Sequence, residues 1–144
     1  MNPWTWRGRM ADQRRKRGND FQDWIAKRLI AEGWSVHNQK TVSKAIPMKG
    51  KVIWVSGRND ILACDLVAVR PGNKTLFIQA TLHSGVQKRV DEMSAVGWEL
   101  GYQCIQLWQK RESGEVNIKE WHGSGFTEVG KIIRGKFYAP AGGV

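Results

Sequence analysis

The sequence predicts a single mixed α/β domain, an α+β arrangement in which helices flank a mixed sheet. Its 144 residues are 41% apolar and 25% charged, which suits one globular domain with a single core. Short β-branched runs alternate with amphipathic helical patterns in the order α-β-β-β-β-α-β-β. No apolar run approaches the roughly 20 residues of a membrane span, so we expect no membrane association.

The first predicted helix occupies residues 19–32. Apolar residues recur there at helical spacing, and Gly33 follows as a stop signal. Asn19 and Gln22 also have the spacing of a capping box, which would make Asn19 the residue that begins the helix. Asp20 would then complement the dipole at the helix start.

Strand patterns occupy short runs that are rich in β-branched and aromatic residues. The six runs are residues 34–40, 51–55, 66–70, 75–81, 102–109 and 115–121, and the run at 51–55 is either a second strand or part of a hairpin. Turn signals at residues 71–73 and 112–114 join the third run to the fourth and the fifth to the sixth. Between the fourth and fifth runs, Ser84 caps a second helix that ends near Gly101.

The net charge predicts a polyanionic partner. Lys and Arg number 23 against 13 Asp and Glu, which leaves +10, whereas a magnitude of about 2–8 keeps a small domain soluble. We divide the chain into a basic N-terminal arm (1–17), a core domain (18–122) and a glycine-rich C-terminal tail (123–144). The arm is expected to contact nucleic-acid phosphates, although a solubilising tail has the same composition. Its cations are Arg7, Arg9, Arg14, Arg15, Lys16 and Arg17.

The cysteines, the histidines and the lack of two common catalytic motifs limit the kinds of function that the sequence supports. Two cysteines, Cys64 and Cys104, are too few for a disulfide framework, so we expect a reducing, cytoplasmic location. The three histidines are scattered and give no zinc-binding pattern. Neither a glycine-rich phosphate loop nor a Ser-His-Asp arrangement stands out, so nucleotide hydrolysis and acyl transfer have no support.

Three polar side chains are predicted to meet at the hairpin formed by the third and fourth strand runs. A hairpin centred on Gly72 places Asp65 opposite Gln79, within one residue of register. Side chains alternate along a strand, so Gln79 and Thr81 leave the same face. Carboxylate, amide and backbone carbonyl oxygens are ligands for a hard divalent cation such as Mg²⁺. A cation held there would polarise a phosphodiester and lower the pKa of an attacking water.

The stretch from residue 17 to residue 90 resembles the PD-(D/E)XK nuclease superfamily, and within it the archaeal-type and phage Holliday-junction resolvases. The superfamily's core hairpin carries an Asp and, further along, Glu-x-Lys. The resolvases add a basic residue with Gly, a helix bearing a Glu, a Gly-aromatic pair and a Ser-Gly pair. The matching elements here are, in chain order, Arg17-Gly18, Gln22, Gly33-Trp34, Ser56-Gly57, Asp65 and Gln79-Ala80-Thr81.

The resemblance implies a restriction-endonuclease-like core and an Mg²⁺-dependent DNA endonuclease that resolves four-way junctions by phosphodiester hydrolysis, with Mn²⁺ as a substitute ion. It also implies a homodimer, because two symmetric cuts call for a twofold axis, and for a phage-encoded enzyme it implies action inside the host cell. Gln22, Gln79 and Thr81 stand where the family has Glu, Glu and Lys, so only Asp65 keeps its charge.

The resemblance assigns roles to the residues at the family positions. Asp20 and Lys88 match no family position and are alternatives, as nearby charged substitutes, for two of the roles. By role, the residues are Asp65, Gln79 and the Ala80 backbone carbonyl for the metal; Gln22 or Asp20 for support from the helix; Thr81 or Lys88 for positioning the water; and Ser56, Arg58, Arg89 and the arm for DNA. Asp23 and Asp60 are further carboxylates close to the site in sequence.

Two alternative functions stay open. A catalytically degenerate nuclease fold would bind branched DNA without cutting it, and the three neutral residues at charged motif positions favour that alternative. Another nuclease of the same superfamily would act on duplex or damaged DNA in repair or restriction.

Overall fold

The computed structural model of the chain describes residues 3–39, 42–48, 51–57, 62–82 and 85–140, with side chains at residue 13 and at 16–39, 62–82 and 85–140. The elements in these ranges are, in chain order, α1 (Pro3–Ala31), β1 (Ser35–Asn38), β2 (Val42–Met48), β3 (Lys51–Gly57), β4 (Leu66–Val69), β5 (Thr75–Thr81), α2 (Val86–Ser94), β6 (Gln103–Lys110), β7 (Val116–Trp121), β8 (Phe126–Ile133) and β9 (Lys136–Tyr138).

Seven of these strands form one sheet in the order β1-β4-β5-β6-β7-β8-β9. All neighbours are antiparallel except β5 and β6, which run parallel because α2 carries the chain back between them. The strands β2 and β3 pair separately as an antiparallel hairpin, inserted between β1 and β4. The mixed α+β class predicted from the sequence is confirmed.

Each helix packs on one face of the seven-stranded sheet. On the α1 face, Ile25 belongs to a buried cluster with Leu66 and Ile78. On the α2 face, Met93 belongs to a second buried cluster with Phe77. Because both faces are covered, β5 is an almost continuous buried run instead of an alternating one.

The predicted strand runs agree with the observed strands. The runs at 66–70, 75–81, 102–109 and 115–121 become β4, β5, β6 and β7, with bounds that agree within one residue. The runs at 34–40 and 51–55 become β1 and β3, with bounds that differ by up to two residues. The sequence pattern does not predict β2, which contains Pro47 and two polar residues and therefore reads poorly as a strand.

The prediction that the first helix begins at Asn19 is wrong. The helix α1 begins at Pro3, so the basic arm is helical and Asn19 lies in the helix interior, where it cannot act as an N-cap. Proline is favourable at a first helical position, and the arm is rich in good helix formers such as Arg, Lys, Gln and Ala. At a rise of about 1.5 Å per residue, the arm adds about 22 Å of helix to the part that packs on the sheet.

The helix α2 is shorter than predicted. It ends at Ser94 instead of near Gly101, and its N-cap is Gly85, which has a φ of 79° and no side-chain cap. The indole N–H of Trp98 donates to the carbonyl of Met93 at 2.8 Å and so satisfies one of the last helix carbonyls. Ser84, the predicted cap, lies outside the described residues.

Two strands occupy the segment that the sequence analysis assigned to a glycine-rich tail. The strands β8 and β9 extend the same sheet past β7. Gly130 lies in β8 against the ring of Phe137, where a Cβ would collide. Gly135 forms the turn to β9 with a φ of 81°, a conformation that glycine adopts without strain. These glycines therefore serve packing and a turn within the sheet.

No helix in the described ranges is both long and apolar enough to cross a membrane. The helix α1 has 29 residues, but many of them are Arg or Lys. Such side chains cost several kcal/mol in a bilayer core.

We expect Ile78→Ala to lower the free energy of unfolding by about 2–5 kcal/mol, because Ile78 is fully buried beneath α1. Val69→Ala in the neighbouring strand is the control, since Val69 is half exposed, and it should cost less than about 1 kcal/mol. Urea unfolding followed by Trp fluorescence measures both changes. Equal losses in the two variants would contradict the two-layer core.

Candidate functional site

The β4–β5 hairpin has the register that the sequence predicts. Leu66 pairs with Ile78, which brings Asp65 opposite Gln79. The N–H of Asp65 donates to the carbonyl of Ile78 at 2.9 Å. The N–H of Ala80 donates to the Asp65 carboxylate oxygen Oδ2 at 3.0 Å. The carboxylate thus fastens the start of β4 to the end of β5.

The side chains of Asp65, Gln79 and Thr81 are all buried, with exposed fractions of 1%, 0% and 5%. Gln79 and Thr81 alternate with Ala80, which packs on the α1 side, so they lie on the α2 face of the sheet. Asp65 lies in the bend just before β4, and its carboxylate reaches the backbone N–H of Ala80, the residue between Gln79 and Thr81. Burying such polar groups is costly unless they are given partners.

Two oxygens of this group have no hydrogen-bond partner among the described residues, Oε1 of Gln79 and Oγ1 of Thr81. The Gln79 amide makes one long hydrogen bond, from Nε2 to the carbonyl of Ala80 at 3.4 Å. A buried acceptor without a partner costs about 1–3 kcal/mol. These oxygens are therefore suited to bind a cation or a ligand that donates hydrogen bonds.

Gln22 in α1 lies at the same end of the sheet. Its side chain is buried, and its Oε1 has no hydrogen-bond partner in the described part of the chain. The next residue, Asp23, accepts a hydrogen bond from Asn38 Nδ2 at 2.9 Å, at the end of β1. The N–H of Gln39 then donates to the carbonyl of Asp65 at 2.8 Å. The helix α1 therefore brings Gln22 to the end of the sheet where β4 begins.

Asp20 and Lys88 are exposed and are not buried with this group. Asp20 lies on α1 and lines a surface cavity of about 340 Å³ together with Trp24. Lys88 lies in the first turn of α2, which begins shortly after β5 ends. Of the two candidates for support from the helix, Gln22 is the buried one.

The structure describes the side chains of only some of the residues that are predicted to contact DNA. Lys16 and Arg17 are exposed on α1. Arg89 forms an ion pair with Glu92 at an N–O distance of 3.4 Å. The positions outside the described side chains are Arg7, Arg9, Arg14, Arg15, Ser56 and Arg58, and Asp60 lies outside them as well.

The donors around Asp65 are one carboxylate and several neutral oxygens. Within the residues that the structure describes, no three His, Cys, Asp or Glu side chains gather into a group that could hold a metal. Carboxylate, amide, hydroxyl and backbone oxygens nevertheless fit Mg²⁺ or Mn²⁺ by ligand type, and the unpartnered oxygens of Gln79 and Thr81 favour such a ligand. A single negative charge predicts weak metal affinity.

The thiol of Cys104 is not activated as a nucleophile. Burial raises its pKa, and the hydrogen bond to Glu120 and the negative charge of that residue raise it further, to about 12. The Cys104 Sγ donates to Glu120 Oε1 at 2.9 Å. Because the thiolate is the reactive form of cysteine, we assign no catalytic role to Cys104.

The sequence analysis missed a row of polar residues that continues from Thr81 across the sheet. Thr81 pairs with Gln109, Gln109 pairs with Asn117, and Asn117 pairs with Lys131. Cross-strand partners project from the same face, so these side chains share the α2 face with Thr81. Two members of the row could have been noticed in the sequence, because Gln109 and Asn117 are polar residues in the predicted strand runs 102–109 and 115–121. Lys131 could not, because it lies in a segment for which no strand was predicted.

Comparisons with known proteins identify no family for this chain. No protein-family model matches it, and no curated protein matches it at a significant level. Function is therefore inferred from the geometry, burial and charge of the site.

We expect Gln79→Glu to make thermal stability depend on a divalent metal. Without metal, the new carboxylate is buried beside Asp65, and repulsion together with desolvation should lower the Tm by about 4–8 °C. Mn²⁺ should restore the Tm, because two carboxylates bind a hard cation more tightly than one. Scanning fluorimetry with and without Mn²⁺ measures the effect. Asn117→Asp places a buried carboxylate away from Asp65, where Arg111 can pair with it. It is therefore the control for the Mn²⁺ response alone, and an equal Mn²⁺ response in both variants would refute the site.

We expect Cys104 to resist a thiol reagent such as dithionitrobenzoate in the native protein at pH 8, because a thiol with a pKa of about 12 holds almost no thiolate there. Glu120→Gln removes the neighbouring charge and should speed the reaction. The pKa is raised above its ordinary value of 9.0, so the stabilisation from this thiol is complete below pH 9 and is lost as the pH rises toward 12. Rapid labelling of the native wild type would contradict the buried thiol.

Proposed function

We propose that the chain is an Mg²⁺-dependent endonuclease that cleaves four-way DNA junctions by phosphodiester hydrolysis, with Mn²⁺ as an alternative ion. The observation that carries the proposal is the buried group at the end of the β4–β5 hairpin. There the Asp65 carboxylate accepts a hydrogen bond from the N–H of Ala80, and the side chains on either side of Ala80, Gln79 and Thr81, carry buried oxygens without a partner among the described residues. The same hairpin carries the resemblance to PD-(D/E)XK nucleases.

The residues of the group divide the chemistry among them. Asp65, the amide oxygen of Gln79 and the Ala80 backbone carbonyl would hold the ion, since the hydrogen bond from Gln79 to that carbonyl, at 3.4 Å, is weak enough to be given up. The ion would polarise the scissile phosphodiester and lower the pKa of the attacking water. The Thr81 hydroxyl would accept a hydrogen bond from that water and orient it, and Gln22 would support the site from α1.

Positive charge at the same end of the sheet supports phosphate binding. The Asp23–Asn38 hydrogen bond holds α1 at this end, and the basic helical arm precedes Asp23 in the chain. The β6–β7 and β8–β9 turns also lie at this end, because β6 ends beside the end of β5 and beside the start of β7. The cations in and next to these turns are Lys110, Arg111, Arg134 and Lys136. Such charge binds the DNA backbone irrespective of base sequence.

Cutting a four-way junction symmetrically needs two active sites related by a twofold axis. Each chain supplies one Asp65, in one β4–β5 hairpin. The proposal therefore includes a homodimer that presents one buried group to each of the two strands that are cut.

A second candidate function is the binding of branched DNA without cleavage. It is favoured by the neutral side chains of Gln22, Gln79 and Thr81 at positions where the resembled family is charged. It is also favoured by the lack of a His, Cys, Asp and Glu cluster within the described ranges. The basic end of the sheet would bind junction phosphates in either case, so binding alone does not separate the two functions.

We expect paired cuts in a labelled four-way junction in Mg²⁺, with the matching linear duplex left intact. Asp65→Asn should slow cleavage about a hundredfold or more, because it removes the charged ligand of the site. Asp91→Asn is the matched control, since it removes an exposed carboxylate of α2, and it should cleave like the wild type. Denaturing gels of the two labelled strands measure the rates.

Other outcomes of the same assay decide between the alternatives. Tight junction binding with no cut in Mg²⁺ or Mn²⁺ would favour the non-cleaving binder. Equal cleavage of linear duplex would favour another nuclease of the superfamily. Full activity in Asp20→Asn, Asp60→Asn or Lys88→Ala would remove that residue from the site.

A further inference from the structure

The row of polar residues that begins at Thr81 runs through five strands, from β5 to β9. Beyond Lys131 it reaches Tyr138, the register partner of Lys131 in β9. We call this set the polar row; its members are Thr81, Gln109, Asn117, Lys131 and Tyr138. Neighbouring strands lie about 4.8 Å apart, so the row is about 19 Å long. It leads from the buried Asp65 group to the edge of the sheet.

The helix α2 packs on the same face of the sheet as the row, where it contacts β5. The apolar cluster under α2 lies further from the strand ends, where it includes Phe77 and Leu107. Gln109 and Lys131 are partly exposed, and Tyr138 has an exposed fraction of 47%. Thr81 and Asn117 are buried, so the row offers three side chains to solvent, those of Gln109, Lys131 and Tyr138, with the aromatic ring at its outer end.

Arg111 adds a guanidinium to the row. With the amide oxygen of Asn117 turned toward it, Arg111 donates hydrogen bonds of 2.8 Å from Nε and 3.1 Å from Nη2. Asn117 is buried, so this contact holds the guanidinium against the row. A guanidinium has five N–H donors, and this contact uses only part of them.

We propose that the polar row, with Arg111, binds one DNA strand and leads it to the buried Asp65 group. Lys131 and Arg111 bind backbone phosphates, Gln109 donates to phosphate or sugar oxygens, and Tyr138 stacks on a base at the outer end. The inference rests on the proposed nuclease function and adds to it the path of the substrate strand. At about 3.4 Å per nucleotide along one strand, a length of about 19 Å corresponds to about five to six nucleotides.

The chemistry of the row favours nucleic acid over an acidic protein segment. Every member is neutral or cationic, as phosphate binding requires. An exposed aromatic ring beside a cation is the combination that binds single strands, because every base has a face on which the ring can stack. An acidic peptide would use Lys131 and Arg111 but would have no need of the Tyr138 ring.

Fluorescence anisotropy of a labelled single strand and a labelled junction, both in EDTA, tests the row, because binding without metal is independent of cleavage. Lys131→Gln/Arg111→Gln should weaken binding about tenfold and lower the log–log salt slope by about 1–2. Lys27→Gln/Lys74→Gln is the matched control, since it removes two exposed charges away from the row and should change binding far less. If the double variant is unstable, Lys131→Gln alone serves as the test variant, and it should lower the log–log salt slope by about 1.

The two tyrosines provide an independent test of stacking. Tyr138→Ala should weaken single-strand binding about tenfold, and Tyr138→Phe should retain it. Tyr102→Ala is the control, because Tyr102 is more exposed than Tyr138 but lies in the turn before β6, at the opposite end of the sheet.

The outcomes separate the row from the nuclease function. Equal losses in the row variants and their controls would overturn the row, whether or not junctions are cut. The expected binding pattern without any cleavage would support the row and count against the nuclease function alone. Two results together would show that the row does not bind DNA specifically. Tyr138→Ala would keep full affinity for the single strand, and an acidic peptide would bind with the same dependence on Lys131 and Arg111.

Discussion

The carboxylate of Asp65 accepts a hydrogen bond from the backbone N–H of Ala80 at 3.0 Å, inside the sheet. A buried carboxylate is costly to desolvate, so the fold must supply it with partners. This one fastens the start of β4 to the end of β5 and holds Gln79 and Thr81 on the α2 face. A slip of one residue would turn both side chains to the opposite face, because strand residues alternate. The candidate site and the polar row both depend on this register.

The topology then concentrates the relevant chemistry at one end of the sheet. Because β5 and β6 are parallel, α2 begins and β6 ends beside the Asp65 group. The helix α1 reaches the same end, with Gln22 buried and the basic arm before it. At this end, neutral amide oxygens of Gln22 and Gln79 stand where the resembled nucleases have carboxylates. Metal binding and cleavage are therefore the measurements that test whether the group acts as a nuclease site. Phosphate binding at this end requires only the cations.

The parts of the site that lie in one hairpin were predictable from sequence. The turn at Gly72 determines which residues face each other, and side-chain alternation places Gln79 with Thr81. Only part of α1 was predictable from sequence. The apolar spacing identified the part that packs on the sheet, but the capping pattern at Asn19 wrongly placed the start of the helix after the basic arm. The strands β8 and β9 were missed because the glycines that serve packing and turns there gave the segment the composition of a glycine-rich tail.

By itself, the sequence determined the α+β class, the strong positive charge and the local geometry of the β4–β5 hairpin, since these depend on composition and on residues close together in the chain. The tertiary structure decided which polar groups are buried, that Gln22 and not Asp20 is enclosed, and that Thr81, Gln109, Asn117, Lys131 and Tyr138 form one row. The burial depends on how the two helices cover the sheet, and the row depends on the parallel pairing of β5 with β6 across α2 and on the hairpins that add β8 and β9. These contacts join elements that are separated by a helix or that lack a recognisable strand pattern, so only the assembled sheet sets them.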